Sequence, residues 1–160
     1  LEYLDNNGLT EHTVVGLYIR PSMFLGEHGW FDKRWMYEES IRIPLVIRYP
    51  KSIDPGQVRH EMVMNVDFAP TLLDFAGVPT PEDMQGRSLK PLLIGETELD
   101  WREEMYYHYY EFPFMTHVNP HYGIRNSRYK LIRFYGEVEG WEFYDLQNDP
   151  TEQHNSYYEG

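Results

Sequence analysis

Four short segments in the last third of the chain constrain its fold more than any other feature. They are MYYHYYEF (105–112), HYGIRN (121–126), RYKLIRFY (128–135) and EFYDL (142–146). Aromatic and β-branched side chains fit a pleated, half-buried surface, and turn signals such as Asn126-Ser127 separate the segments. This texture is the signature of an antiparallel sheet.

Upstream the pattern is different. Leu1 to Asn7 reads as the last turns of a helix with Gly8 as its left-handed cap. Because the chain opens in mid-helix without Met, it is expected to start inside a larger domain. Thr13 to Ile19 is a short buried-type strand, followed by a polar loop through Lys33 and a helical turn within Trp35 to Ser40. Ile43 to Tyr49 is nearly continuous in apolar character, as in a strand covered on both faces. NVDFAPTLLDFAG (65–77) reads as a helix. Asp67 caps it, Pro70 lies in its first turn, Ala69, Leu72, Leu73 and Ala76 share one face, and Gly77 ends it. A proline-punctuated loop and a short helix in LKPLLIG follow. The expected division is an α/β part over residues 1–97 and an antiparallel part over residues 98–160.

A formal net charge of -12 excludes nucleic acid and anionic membranes as expected partners on electrostatic grounds. With no cysteine, there is no disulfide, thiolate metal site or cysteine nucleophile. No apolar run reaches membrane-spanning length. Aromatic content of 16%, with 14 Tyr, suits either many antiparallel strands or a surface that stacks on ring-shaped ligands.

The most distinctive candidate site is LGEHGWFDK (25–33). Gly26 and Gly29 bracket Glu27-His28 and allow close backbone approach to a ligand, and Lys33 can meet an anion through charge-assisted hydrogen bonds. On spacing alone a solvated loop is the favoured reading, because short glycine motifs are weak. His108, His117 and His121 are interleaved with Tyr and Phe, which fits a stacking substrate wall and equally a sheet with cross-strand aromatic pairs. Asn65 and Asp67 are explained by helix capping, and Asp145 and Asp149 by Asx turns. No spacing supports a zinc site, a phosphate loop or a serine triad.

Taken together, LGEHGWFDKRWMYEESIRIPLVIRYP, NVDFAPTLLDFAGVPTPEDMQGRSLKPLL, HYGIRNSRYKLIRFY and EFYDLQNDPTEQHN resemble, in order, the C-terminal part of the sulfatase family of the alkaline-phosphatase-like superfamily. The resemblance implies late strands of a large mixed α/β sheet, then a small antiparallel subdomain with a helix. It also implies a formylglycine nucleophile upstream, a calcium ion and basic residues that neutralise a sulfate ester. Lys33 matches the family's sulfate-contacting lysine. His28 falls in a loop near the substrate, and the region of His117 and His121 lies at the mouth of the pocket.

One stretch departs from the family. Its members carry Asp followed by Asn, Gln or His as calcium ligands before this loop; here Arg20 and Pro21 occupy those positions, with Ser22 where Gly is usual. Arg adds like charge and Pro offers no side-chain oxygen, whereas calcium takes six to eight oxygen ligands. A reading-frame shift entered near Gly16 and repaired near Met23 restores Val-Tyr-Thr-Ser-Asp and then Gln or His for one choice of codons. The expected protein is therefore the C-terminal portion of an enzyme acting on a sulfated carbohydrate or other sulfate ester. It is inactive without its N-terminal catalytic region, and its calcium site is incomplete in this chain. The alternatives are a non-catalytic sulfatase-like binding protein and a phosphoesterase or phosphonate hydrolase of the same superfamily. Family relatives imply a periplasmic or extracellular location.

Overall fold

The structure, a computed structural model, describes residues 1–18, 23–113 and 118–159. Its contacts divide the chain into two units, Leu1–Leu17 with Leu45–Arg102, and Tyr18–Pro44 with Glu103–Gly160. The expected division at residue 97 differs in one respect. Residues 18–44 group with the antiparallel part, because their aromatic side chains pack on its sheet.

The first unit contains α1 (Glu2–Asn6), β1 (Val15–Tyr18), β4 (Leu45–Arg48), α3 (Phe68–Phe75) and α4 (Lys90–Leu93); β1 and β4 are neighbours in a two-stranded sheet. Gly8 and Gly77 follow α1 and α3 with φ of 67° and 70°, as their capping roles require. Leu17 and Val46 are 60% and 62% exposed, so β1 and β4 are not covered on both faces by the described residues. Leu72, on the apolar face of α3, is likewise 55% exposed, and the helix buries Pro70 and Thr71 instead.

Asp67 precedes α3 without a side-chain capping bond to it, contrary to the expected cap, and is a buried hub instead. Its carboxylate accepts the Met64 N–H at 2.7 Å, the Arg87 N–H at 2.9 Å and the Arg102 fork. Burial raises its pKa, but the Arg102 guanidinium and the two N–H groups outweigh that and hold it below the usual carboxylate range.

The second unit is built on an antiparallel meander of β5 (Glu104–Tyr109), β6 (His121–Asn126), β7 (Tyr129–Phe134) and β8 (Gly140–Asp145), in that spatial order. Asn126 Oδ1 closes the β6–β7 turn by accepting the N–H groups of Arg128 at 2.9 Å and Tyr129 at 2.6 Å. Residues 23–44 supply a small hairpin, β2 (Phe24–Leu25) with β3 (Phe31–Asp32), and the short helix α2 (Glu38–Ile41). Phe24, Trp35, Met36 and Tyr37 join Tyr109, Val118, Ile132, Phe134 and Tyr144 in one aromatic-rich core. Gly123 permits this packing, since a Cβ there would stand 2.5 Å from both Met36 Sδ and the Leu131 carbonyl oxygen.

Candidate functional site

The β2–β3 hairpin turns through Gly26, His28 and Gly29, whose φ angles of 130°, 53° and 74° are all left-handed. Such a conformation favours glycine, so His28 is held there by its contacts. Its ring stacks on Tyr37 at 4.3 Å with planes 8° apart and meets Phe24 edge-on at 5.8 Å. Nε2 lies 3.5 Å from Glu39 Oε2, which is an ion-pair distance and too long for a hydrogen bond. Neither atom has a hydrogen-bond partner among the described residues.

Beneath the stack, the Tyr37 and Tyr144 hydroxyls both donate to Glu142 Oε2, at 2.8 and 3.0 Å. Burial pushes the Glu142 carboxyl up, against the pull of those two hydroxyls. Burial also raises both phenols, with the Glu142 charge adding to it, so both remain protonated donors. An open groove of about 790 Å³ runs along this side, lined by His28, Trp30, Tyr37, Glu39, Glu152 and Gln153 among others, with no lysine or arginine in its lining. His28 thus borders a groove, whereas Lys33 is not part of its lining.

Lys33 sits just after β3 in a tightly fixed stretch of backbone. Asp32, which precedes it, has φ of 115°. The Asp32 carboxylate accepts the Lys33 N–H at 2.7 Å and is bound by the Arg34 guanidinium. The buried Ser40 hydroxyl donates to the Lys33 carbonyl, and the Tyr107 hydroxyl donates to the Arg34 carbonyl at 3.1 Å. The Lys33 ammonium itself has no hydrogen-bond or ion-pair partner among the described residues.

His121 is not at a pocket mouth. It is fully buried on the inner face of β6, with Nδ1 2.9 Å from the Asn119 carbonyl oxygen and its ring among Trp35, Tyr107, Tyr109 and Phe134. Burial lowers its pKa and keeps the imidazole neutral. Among the candidates of that region it is a core residue, because strand alternation turns it toward the same side as Gly123. His117, Arg20 and Pro21 lie outside the described residues, as does Ser22. Among the described residues, no three His, Asp or Glu side chains converge so as to hold a metal ion.

Sequence reasoning missed a buried charge network. Lys130 Nζ lies 2.6 Å from Glu152 Oε1 and 3.0 Å from Glu38 Oε1. Arg125 grips the Glu38 carboxylate with two bonds of 2.9 and 3.0 Å, and Glu152 Oε2 accepts the Glu38 N–H at 2.6 Å. Burial pushes Glu152 up against the pull of Lys130. At Glu38 the same desolvation is outweighed by Arg125 and Lys130, so it stays below the usual range. The network ties the start of α2, and with it the segment after Lys33, to β6, β7 and the DPTEQHN segment (149–155).

Comparison with known proteins yields a consistent set. The family described as N-sulphoglucosamine sulphohydrolase, C-terminal, matches residues 26–160. An N-acetylglucosamine-6-O-sulfatase of Bacteroides thetaiotaomicron is 53% identical over 159 residues, which are 98% of this chain and 28% of that protein. An ulvan-active sulfatase of Formosa agariphila is 30% identical, over 94% of this chain and 36% of its own length. A solved structure of a protein in complex with its substrate D-glucosamine-2-N,6-O-disulfate superposes with a TM-score of 0.92 at 52% identity, over 99% of this chain and 32% of that one. The chain thus spans about a third or less of the length of these relatives.

Proposed function

Since this chain belongs to the sulfatase family, within its N-sulphoglucosamine sulphohydrolase C-terminal group, we propose that it is the C-terminal part of an enzyme hydrolysing sulfate esters of an amino sugar in a sulfated glycan. The observation that carries the reading is 53% identity, over almost the whole chain, to an N-acetylglucosamine-6-O-sulfatase. The local chemistry of Lys33 supports it. A cation whose backbone is fixed and whose ammonium is unengaged is suited to meet sulfate oxygens as charge builds on them in the transition state.

In this reading the nucleophile, the formylglycine of the family, lies outside the chain, as do the carboxylates that hold calcium. His28 and the groove beside it face the sugar. With Glu27, Glu39 and Glu152 in its lining and no lysine or arginine, the groove takes a ring or hydroxyl group and leaves the sulfate to Lys33. Export to the periplasm or beyond belongs to the same proposal.

A second reading rests on Arg20 and Pro21, which replace calcium ligands of the family. If these residues are encoded in frame, the parent is a binding protein with a sulfatase fold. The test is an assay of the complete gene product on N-acetylglucosamine 6-sulfate, a phosphate monoester and a phosphonate monoester, with its coding DNA resequenced through codon 30. Sulfate release above the other two supports the first reading. Binding of the sulfated sugar without turnover supports the second, and preference for a phosphorus ester contradicts both.

A further inference from the structure

We propose that Tyr107 and Ser40 are positioning residues for Lys33, holding its backbone so that the ammonium is presented in one place. This rests on the reading of Lys33 as the group that meets sulfate. Both main-chain polar groups of Lys33 are engaged by side chains. Its N–H goes to the Asp32 carboxylate at 2.7 Å, and its carbonyl accepts the Ser40 hydroxyl. The next carbonyl, that of Arg34, accepts the Tyr107 hydroxyl from β5 at 3.1 Å, across 73 residues of sequence.

Asp32 holds φ of 115°, a conformation that carries a cost for a non-glycine residue and persists only where surrounding contacts fix it. Ser40 is 4% exposed, and burial pushes the Tyr107 phenol up to about 12, so the hydroxyl stays a donor across the ordinary pH range. Tyr107 also stacks on His121 at 5.6 Å, which limits its own freedom. A long, flexible lysine gains most from such an arrangement, because a displacement of about 1 Å at a reacting group can cost on the order of a hundredfold in rate.

The experiment is a double-mutant cycle in the complete gene product with Tyr107→Phe, Lys33→Ala and the pair, and Ser40→Ala as a second route. Turnover of N-acetylglucosamine 6-sulfate, the dissociation constant of inorganic sulfate and the thermal midpoint are all measured. The sulfate constant carries the cycle whether or not the ester is hydrolysed. Tyr107→Phe alone is expected to weaken kcat/KM or sulfate binding about tenfold, the scale of one hydrogen bond. On the Lys33→Ala background it is expected to add nothing, since a positioning residue has nothing left to position. Losses that multiply, or that follow the thermal midpoint alone, overturn the proposal while leaving Lys33 in the site. No loss on Lys33→Ala itself overturns the reading on which the proposal rests.

Discussion

In the unit that carries the four-stranded sheet, Phe24, Met36 and Ile132 are sealed from solvent, and even Lys130 and Glu152 are taken inside as a pair, with the half-buried Glu38 beside them. In the unit that carries α3, Leu17, Val46 and Leu72 stand more than half exposed, and its largest buried carboxylate, Asp67, serves mainly to clamp loops. One sheet closes on its own side chains. The other strands and helix present apolar faces that no described residue covers, a surface suited to packing against further elements of a larger sheet. The comparison assigns the larger self-contained core to the second unit, although its hairpin leaves Leu25 and Phe31 75% and 72% exposed, and open faces on β1, β4 and α3 to the first.

The largest expected effect tests the unit with the larger core. Lys130→Met leaves Glu38 and Glu152 facing each other without their buried cation, and about 3–5 kcal/mol of stability should be lost. Adding Glu152→Gln should recover much of it. Denaturant unfolding followed by tryptophan emission reports chiefly on this unit, because Trp30, Trp35 and Trp141 lie in it and Trp101 lies in the other. A loss that Glu152→Gln does not relieve would show that the pair is not the source.

Next in size is Gly123→Ala. The added methyl group meets Met36 Sδ and a backbone carbonyl at 2.5 Å, so the same measurement should give about 1–3 kcal/mol of destabilisation. A neutral result would mean that the core is looser than its geometry.

A pH titration sharpens the contrast further. The His121 pKa in the folded chain is lowered from 6.5 by burial, so below 6.5 the unfolded chain takes up a proton that the folded one does not. Stability of this unit should therefore be full above pH 6.5 and fall as the pH drops from there toward the lowered value, by at most about 1.4 kcal/mol per pH unit. His121→Phe should flatten that slope between pH 7 and 5. An unchanged slope would assign it to another group.

The smallest effect belongs to the unit with open faces. Leu72→Ser in this 160-residue chain should cost about 1 kcal/mol or less, because the side chain is already more than half exposed. In the complete gene product the same change should cost several times more if the face of α3 is covered there. Equal costs in both would break the comparison.

The four strands of the sheet were legible because period-2 aromatic patterning and a real turn signal lie within a few residues of each other. The helix of residues 68–75 was legible from its glycine stop and its periodicity, but not its buried side. Periodicity shows that Ala69, Leu72 and Ala76 share a face and says nothing of which partner covers it.

His121 was misplaced for a related reason. Alternation sets it beside Gly123 and Arg125 on one face of β6, and only the pairing with Lys130, Ile132 and Phe134 on β7 reveals that this face is the inner one. Glu152 was hidden in what reads as an ordinary Asp-Pro turn. Its partners lie far away in sequence, and its left-handed φ of 52° has no signature in the residue type. Ser40 and Tyr107 were invisible as neighbours of Lys33 for the same reason, since side-chain bonds to backbone carbonyls leave no periodic mark.

The most direct measurement is a crystal structure of the complete gene product with N-acetylglucosamine 6-sulfate bound. The sulfate is expected with an oxygen about 2.7–2.9 Å from Lys33 Nζ, the length of a charge-assisted hydrogen bond, and with the sugar toward His28. A sulfate held elsewhere, with Lys33 in solvent, would contradict the assignment of this loop to a sulfatase site.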